Sequence, residues 1–183
     1  MMRQLVLIFP LLATLVGFGF VSCGSDAPVF HKKPPVVRDA EWLRSTSSVT
    51  WLPRQVSGRY DGASALDNIR QAAAGNAVKR SSYGTAPGGY VRLDPRMLRA
   101  MKSLAKEGYT FRVTALAGAS HSRTSRHYAG LAFDVDMING RKVGYSNPYW
   151  RKFLARCRAM GATETLGPGD RAHSTHIHAA WPR

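Results

Sequence analysis

Histidine is concentrated in two short segments of this 183-residue chain, and this placement constrains the fold more than any other feature. Five of the six histidines lie within residues 120–136 or residues 173–178. In a β-strand, residues two apart point to the same face, so His176 and His178 are expected to project together. Asp134 and Asp136 should do the same on an earlier strand. We expect the fold to bring these two polar strand faces to one place.

The spacing of these residues is typical of a catalytic zinc site. His127 lies seven residues before Asp134, and Gly130 between them allows the backbone to turn so that both side chains reach one point. Catalytic zinc takes three protein ligands from histidine and carboxylate and leaves a fourth position for water. His127, Asp134 and one of the paired histidines supply that set. The His-x-His pair alone would mean little, because two surface histidines on a strand give the same pattern.

Residues 125–134 resemble the Ser-x-His-x-x-Gly-x-Ala-x-Asp motif of zinc D-Ala-D-Ala peptidases, and residues 176–178 resemble their closing His-x-His motif. This superfamily contains lysostaphin-type enzymes, D-Ala-D-Ala metallopeptidases and the Hedgehog signalling domain. The likeness to the Hedgehog N-terminal domain extends to His121-Ser122. The spacing of His173, His176 and His178 is similar to the closing motif of penicillin-insensitive murein endopeptidases.

The resemblance implies one Zn²⁺ ion held by His127, Asp134 and His178. It also implies two catalytic histidines that are not ligands. His176 would orient water or stabilise the developing oxyanion, and His173 would correspond to the second active-site histidine of the endopeptidases.

The chain departs from many of these relatives at the general base. They place an Asp or Glu shortly before the last ligand, where this chain has Ala172, His173 and Thr175. A histidine is chemically adequate as a base, because its ordinary pKa lies near the working pH. The base is therefore either His173 or His176, with Asp170 as a distant alternative.

Three further side chains are candidates for substrate binding. His121 either lines the cleft, as the Hedgehog resemblance implies, or caps a loop. Arg123 or Arg126 would bind a substrate carboxylate through two parallel hydrogen bonds, or both are simply solvated. Ser125 is expected to order the loop, and Asp136 either supports the metal site or forms a surface ion pair.

The N-terminus predicts export. Residues 1–22 have a short basic start and a long apolar run, as in a lipoprotein-type signal peptide. Cys23 follows a small residue, as the lipidated cysteine of a bacterial lipobox does, although Phe20 stands where leucine is usual. Simple cleavage and an uncleaved anchor are the alternatives to lipidation. Gly24 replaces the aspartate that commonly retains lipoproteins at the inner membrane, so we expect an outer-membrane lipoprotein facing the periplasm. Cys157 is expected to be a buried thiol.

The rest of the chain predicts an α+β domain with a small, mainly antiparallel sheet flanked by helices, similar to the Hedgehog and D-Ala-D-Ala peptidase fold. Residues 23–48 are expected to be an extended tether and residues 49–183 the zinc peptidase-like domain. Capping and turn signals place helices over residues 61–74, from Asp94-Pro95 to Gly108, and from Asn147-Pro148 to Gly161. Strands are expected over residues 109–116, 131–138, 141–143 and 176–181.

The net charge of +15 favours an anionic partner such as a cell-wall polymer. Together with export and the histidine motifs, it predicts hydrolysis of peptide bonds in peptidoglycan by a D,D-carboxypeptidase or endopeptidase. The expected partners are peptidoglycan and, through the lipid anchor, a membrane. We expect a monomer with no specific nucleic-acid partner. One alternative is a zinc-containing, Hedgehog-like binding module without turnover. The other is a nucleic-acid or lipid-surface adhesin that binds through its net charge and holds zinc only as a structural ion.

Overall fold

The computed structural model describes residues 32–183. Over this range the chain has four α-helices, one short 3₁₀ helix and eight strands. The helices are α1 (Pro35–Ser45), α2 (Ala65–Ala73), α3 (Pro95–Lys106) and α4 (Trp150–Ala159), and the 3₁₀ helix is Arg126–Ala129. The strands are β1 (Val49–Trp51), β2 (Val78–Lys79), β3 (Tyr90–Val91), β4 (Phe111–Ala115), β5 (Ala132–Ile138), β6 (Arg141–Lys142), β7 (Glu164–Leu166) and β8 (Ile177–Ala180).

Six of these strands form one mixed sheet in the order β1-β4-β5-β8-β7, with β6 paired to β5. The β1–β4 pair is parallel, and the other pairs in this sheet are antiparallel. Strands β2 and β3 form a separate antiparallel pair. The prediction of an α+β domain with a mainly antiparallel sheet is confirmed.

The two faces of this sheet have different chemistry. On β5, Phe133 and Val135 are fully buried in the core, where Phe133 contacts the ring of Phe153 on α4 edge-on. Asp134 and Asp136 alternate with them and line a cleft on the opposite face. The prediction that the two aspartates share a face is confirmed, and the polar sheet face becomes the floor of the candidate site.

Local signals place most of the helices correctly. Ser64 caps α2 through a capping box with Asp67, and the Asp94 side chain accepts a hydrogen bond from the backbone N–H of Arg96 at the start of α3. The start of α4 was predicted too early. Asn147 accepts a hydrogen bond from Tyr149 N–H and donates to carbonyls of the β5–β6 hairpin, so it closes a turn before the helix begins.

The prediction of an extended tether is wrong for residues 35–45, which form α1. Pro35 occupies the first turn, where its missing N–H removes no helical hydrogen bond. Ala40 and Leu43 are fully buried, and α1 packs on α2 and α3. Asp39 on α1 also pairs with Lys102 on α3 at 2.7 Å. Tertiary contacts rather than a strong local pattern therefore make this segment helical.

The predicted signal peptide and the lipidation site Cys23 lie outside the described residues. Within residues 32–183, none of the helices combines the length and the apolar character needed to cross a membrane. Cys157 is buried on α4 as expected, and burial raises the pKa of its thiol to about 12. A thiol protonated over the physiological pH range packs as a small hydrophobic group.

Candidate metal centre

The loop between β4 and β5 carries the first candidate ligand. Ser125 caps the 3₁₀ helix, its hydroxyl accepting a hydrogen bond from His127 N–H at 3.3 Å, so Ser125 orders the loop as predicted. Gly130 then ends the helix in the left-handed conformation, with φ of 71°, and its N–H donates to His127 C=O. This turn leads directly into β5 and brings His127 beside Asp134, as the spacing predicted.

Three donor atoms meet at one point on the sheet. His127 Nε2 lies 3.1 Å from Asp134 Oδ1, His178 Nδ1 lies 2.9 Å from the same oxygen, and the two nitrogens are 3.1 Å apart. Asp134 and His178 are directly opposite each other in the β5–β8 register. All three side chains are buried. Tetrahedral Zn²⁺ with bonds near 2.0–2.2 Å separates its ligands by about 3.3 Å, so this triangle is close to the required size.

The groups on the far side of the two ligand rings agree with metal binding. His127 Nδ1 lies 2.6 Å from Leu116 C=O, which can only accept, so the nitrogen there carries the proton and Nε2 offers a lone pair. His178 Nε2 is buried and lies 3.3 Å from Glu164 Oε1, although not in hydrogen-bond geometry. In protein metal sites a ligating histidine almost always donates its other N–H to a carbonyl or carboxylate. The His127 ring has that arrangement, whereas the His178 ring has a carboxylate beside its Nε2 without an aligned hydrogen bond.

His121 is a further histidine at the site. His121, His127 and Asp134 lie close enough together to hold a metal ion, with one donor atom of each within 4.8 Å of the others. However, the His121 ring stacks on the His127 ring at 3.9 Å between centroids and 9° between planes. A metal lies near the plane of each imidazole that binds it, and one ion cannot lie in two stacked, nearly parallel planes. We therefore favour His178 over His121 as the third ligand.

His121 is nevertheless firmly held beside the centre. Its Nε2–H donates to Gly118 C=O at 3.0 Å, and its backbone N–H donates to the hydroxyl of Tyr128 at 2.7 Å. Burial, together with the neighbouring His127, lowers the pKa of His121 to about 3. His121 is therefore an uncharged side chain that packs on the His127 ring and lines the cleft.

The buried side chains of Asp134 and His127 each favour the charged form of the other. Burial alone would raise the pKa of Asp134, but His127 and His178 beside it hold the pKa well below its ordinary value of 3.8. Burial alone would likewise lower the pKa of His127, but the Asp134 carboxylate raises it above its ordinary value of 6.5. Asp134 therefore stabilises a proton on His127, and a metal ion bound at His127 Nε2 would have to replace that proton.

Zinc affinity is accordingly expected to weaken as the pH falls. The raised pKa of His127 gives the metal-free fold stability that is complete below pH 6.5 and is lost as the pH rises through the raised value. Zinc must displace this proton, so below that pKa each pH unit should weaken binding about tenfold. Calorimetric titrations in buffers of different ionisation enthalpy would count the released proton. Affinity that stays constant from pH 8 to pH 5 would contradict this expectation.

A cleft of about 800 Å³ opens above the three donors. Both predicted catalytic histidines line it, with their ring centroids 4.8 Å apart. His173 Nδ1–H donates to Arg171 C=O at 2.6 Å, which leaves Nε2 as a proton acceptor. Burial lowers the pKa of His176, so that ring is neutral at physiological pH. Both residues therefore offer a ring nitrogen that can take part in proton transfer.

The two arginines predicted to bind substrate do not line the cleft. Arg126 donates to Thr163 Oγ1 at 2.6 Å and to Trp181 C=O at 3.2 Å, and its Nε lies 3.3 Å from Glu164 Oε2. Arg123 is exposed outside the cleft lining. A substrate-binding role for either arginine gains no support from this arrangement.

The basic residues that do line the cleft are Arg112 and Lys142. Arg112 Nε and Nη2 donate to the two carboxylate oxygens of Asp136 at 2.8 and 2.6 Å. Of the two roles left open for Asp136, the structure shows the ion pair.

Sequence reasoning missed Glu164. This residue lies 14 positions before His178 in a segment with no motif, and only the pairing of β7 with β8 brings the two together. Its strand was not predicted either, because three residues over 164–166 give too short a pattern to detect. No signal in the sequence alone identifies this carboxylate.

Comparisons with family models, with curated proteins and with solved structures found no match to this chain. The chemistry of the site must therefore be argued from its own geometry.

Proposed function

We propose that this chain is an exported, lipid-anchored zinc metallopeptidase that hydrolyses peptide bonds in peptidoglycan stem peptides or cross-links. The observation that carries the proposal is the convergence of His127 Nε2, Asp134 Oδ1 and His178 Nδ1 within 3.1 Å of one another on the floor of an open cleft. Two histidines and one carboxylate are a typical catalytic zinc set, which leaves a position for water. A fold of the Hedgehog and D-Ala-D-Ala peptidase type is part of this proposal.

Bound zinc would polarise the scissile carbonyl and lower the pKa of a water molecule at the open position. The proton transfers fall to the histidines of the cleft. His173 is the better placed base, because Arg171 C=O holds the proton on its Nδ1 and leaves Nε2 ready to accept another. The same ring would then protonate the leaving amine. His176, neutral and half-buried, is suited to donate a hydrogen bond to the developing oxyanion.

The cleft and the overall charge fit a large anionic substrate. The cleft has a volume of about 800 Å³, which lies within the usual range for ligand sites. The floor of the cleft is a sheet face along which an extended peptide can lie. The net charge of +15 favours adhesion to an anionic wall.

One observation favours the alternative of a zinc-containing binding module without turnover. Besides Asp134, the carboxylates that line the cleft are Asp136 and Glu164, and each pairs with an arginine. Neither is a free base for the attacking water. If the two histidines do not transfer the proton, the site would hold zinc and bind wall fragments unchanged.

Digestion of purified peptidoglycan, with mass spectrometry of the products, tests the proposal. Zinc-loaded full-length protein should create new peptide ends, and these ends should identify the bond that is cleaved. His178→Ala and excess chelator should each remove the products. Fully metallated protein that binds the wall but releases no peptide would contradict the enzyme and support the binding module.

Replacement of His173 by alanine should reduce turnover by about 10²–10⁴-fold, the usual contribution of a general base. It should leave zinc affinity unchanged, because His173 lies outside the donor triangle. The matched variant His176→Ala should also slow the reaction but preserve the pH profile of the base. Comparing kcat against pH for both variants distinguishes the roles. An unchanged rate in His173→Ala with a lost pH dependence in His176→Ala would transfer the base to His176.

A further inference from the structure

We propose that Arg126 and Glu164 form a positioning pair that holds His178 in its metal-binding tautomer. The inference rests on the proposed function, because it assigns His178 Nδ1 to the metal. It gives Arg126 a role in the metal site in place of the substrate contact expected from the sequence.

The first step concerns the far side of the His178 ring. Its Nδ1 faces Asp134 Oδ1 at 2.9 Å, whereas its Nε2 faces Glu164 Oε1 at 3.3 Å. The Nε2 atom is buried and makes no hydrogen bond within residues 32–183. The Glu164 carboxylate, 3.3 Å away, is the anionic group that would attract a proton on Nε2. A proton held on Nε2 leaves the lone pair of Nδ1 free for the metal. The negative charge of the Glu164 carboxylate also makes Nδ1 a stronger metal ligand.

The same geometry argues against Glu164 as the general base. The two nitrogens of an imidazole ring point in diverging directions, so a carboxylate at Nε2 lies behind the ring as seen from a metal on Nδ1. Glu164 and His178 are diagonal neighbours on β7 and β8, since Leu166 is opposite His178 and Glu164 is opposite Ala180. Diagonal positions on one sheet face are within reach of long side chains.

The second step concerns what holds Glu164. Its side chain is 41% exposed and would be free to rotate, but Arg126 Nε lies 3.3 Å from its second carboxylate oxygen. Arg126 is itself fixed, because it also donates to Thr163 Oγ1 and to Trp181 C=O. Arg126 directly precedes His127 in the chain. Its side chain therefore connects the 3₁₀ helix that carries His127 to β7 and to the end of β8, the strand that carries His178.

Zinc affinity measured by competition with a chromophoric chelator tests the pair. Glu164→Ala and Arg126→Gln should each weaken Zn²⁺ binding by about 10–100-fold, the usual cost of losing such a partner. Glu164→Gln keeps a carbonyl acceptor for Nε2–H and should recover most of the affinity. Arg123→Gln removes the same charge from an exposed residue three positions earlier and should bind like the wild type.

Long-range ¹H–¹⁵N spectra of the histidine rings supply a second readout that a loss of general stability would not alter. In the metal-free form, the wild type should show His178 protonated mainly at Nε2, whereas Glu164→Ala should show a mixture of tautomers. Wild-type affinity in both Glu164→Ala and Arg126→Gln would overturn the inference. So would a Glu164→Gln variant that binds zinc normally but loses hydrolysis, since that result would make Glu164 a proton-transfer group. Protein whose zinc affinity depends on this pair, but which cleaves nothing, would contradict only the proposed peptidase activity.

Discussion

Replacement of Asp134 by alanine is expected to abolish the stabilisation that we expect zinc to give this protein. Asp134 Oδ1 is the atom that both ligand nitrogens approach, at 3.1 and 2.9 Å. Without it, two neutral imidazoles remain, and they supply neither the third ligand nor the negative charge that the ion needs. At free zinc near 1,000 times the dissociation constant, the wild type should gain about 4 kcal/mol in free energy of unfolding. Asp134→Ala should gain almost none.

Thermal unfolding with and without zinc measures this effect within each variant, so a change in the metal-free stability cancels. Asp136→Ala is the matched control. It removes a carboxylate from the same face of β5, two residues further on, but one that is paired with Arg112. Its response to zinc should equal that of the wild type. Equal stabilisation of Asp134→Ala would place the metal elsewhere.

Replacement of Gly130 by alanine should destabilise the fold by about 2–5 kcal/mol. Gly130 has φ of 71°, and left-handed backbone costs other residues roughly 1–2 kcal/mol. A Cβ there would also lie 2.3 Å from Arg92 C=O, which is backbone and cannot rotate away. Relief of that overlap adds about 1–3 kcal/mol. It would also shift the turn between His127 and Asp134, so zinc affinity should fall with stability.

Gly140→Ala separates the cost of backbone strain from the cost of steric overlap. Gly140 has φ of 73°, but nothing lies within 4 Å of an added Cβ. Denaturant unfolding should therefore show a much smaller loss for Gly140→Ala, about 1–2 kcal/mol from backbone strain alone. Equal losses in the two variants would show that the contact with Arg92 is unimportant.

The parts of the fold that sequence predicts well are those set by local rules. Alternation along β5 places Asp134 and Asp136 on one face because the side-chain period of a strand is two. The Asp94-Pro95 pair starts α3 for two reasons. The Asp94 side chain accepts a hydrogen bond from a free backbone N–H of the first turn, and Pro95 has no N–H that would need a partner. Gly130 marks the turn into β5 because that position needs a positive φ.

The parts that sequence does not predict depend on distant partners. Residues 35–45 show no strong local pattern, and α1 forms because α2 and α3 bury Ala40 and Leu43. Glu164 reaches His178 only through strand pairing, and Arg126 turns away from the cleft because Thr163, Glu164 and Trp181 C=O bind it. The stacking of His121 on His127 likewise needs the folded loop.

Anomalous diffraction at the zinc absorption edge, from crystals soaked in zinc, tests the central claim most directly. We expect one strong peak about 2.0–2.2 Å from His127 Nε2, a carboxylate oxygen of Asp134 and His178 Nδ1, with solvent at the fourth position. His121 should remain stacked on His127 and unbound. A peak bonded to His121 in place of His178, four protein ligands that leave no position for water, or no peak at these residues would contradict the account.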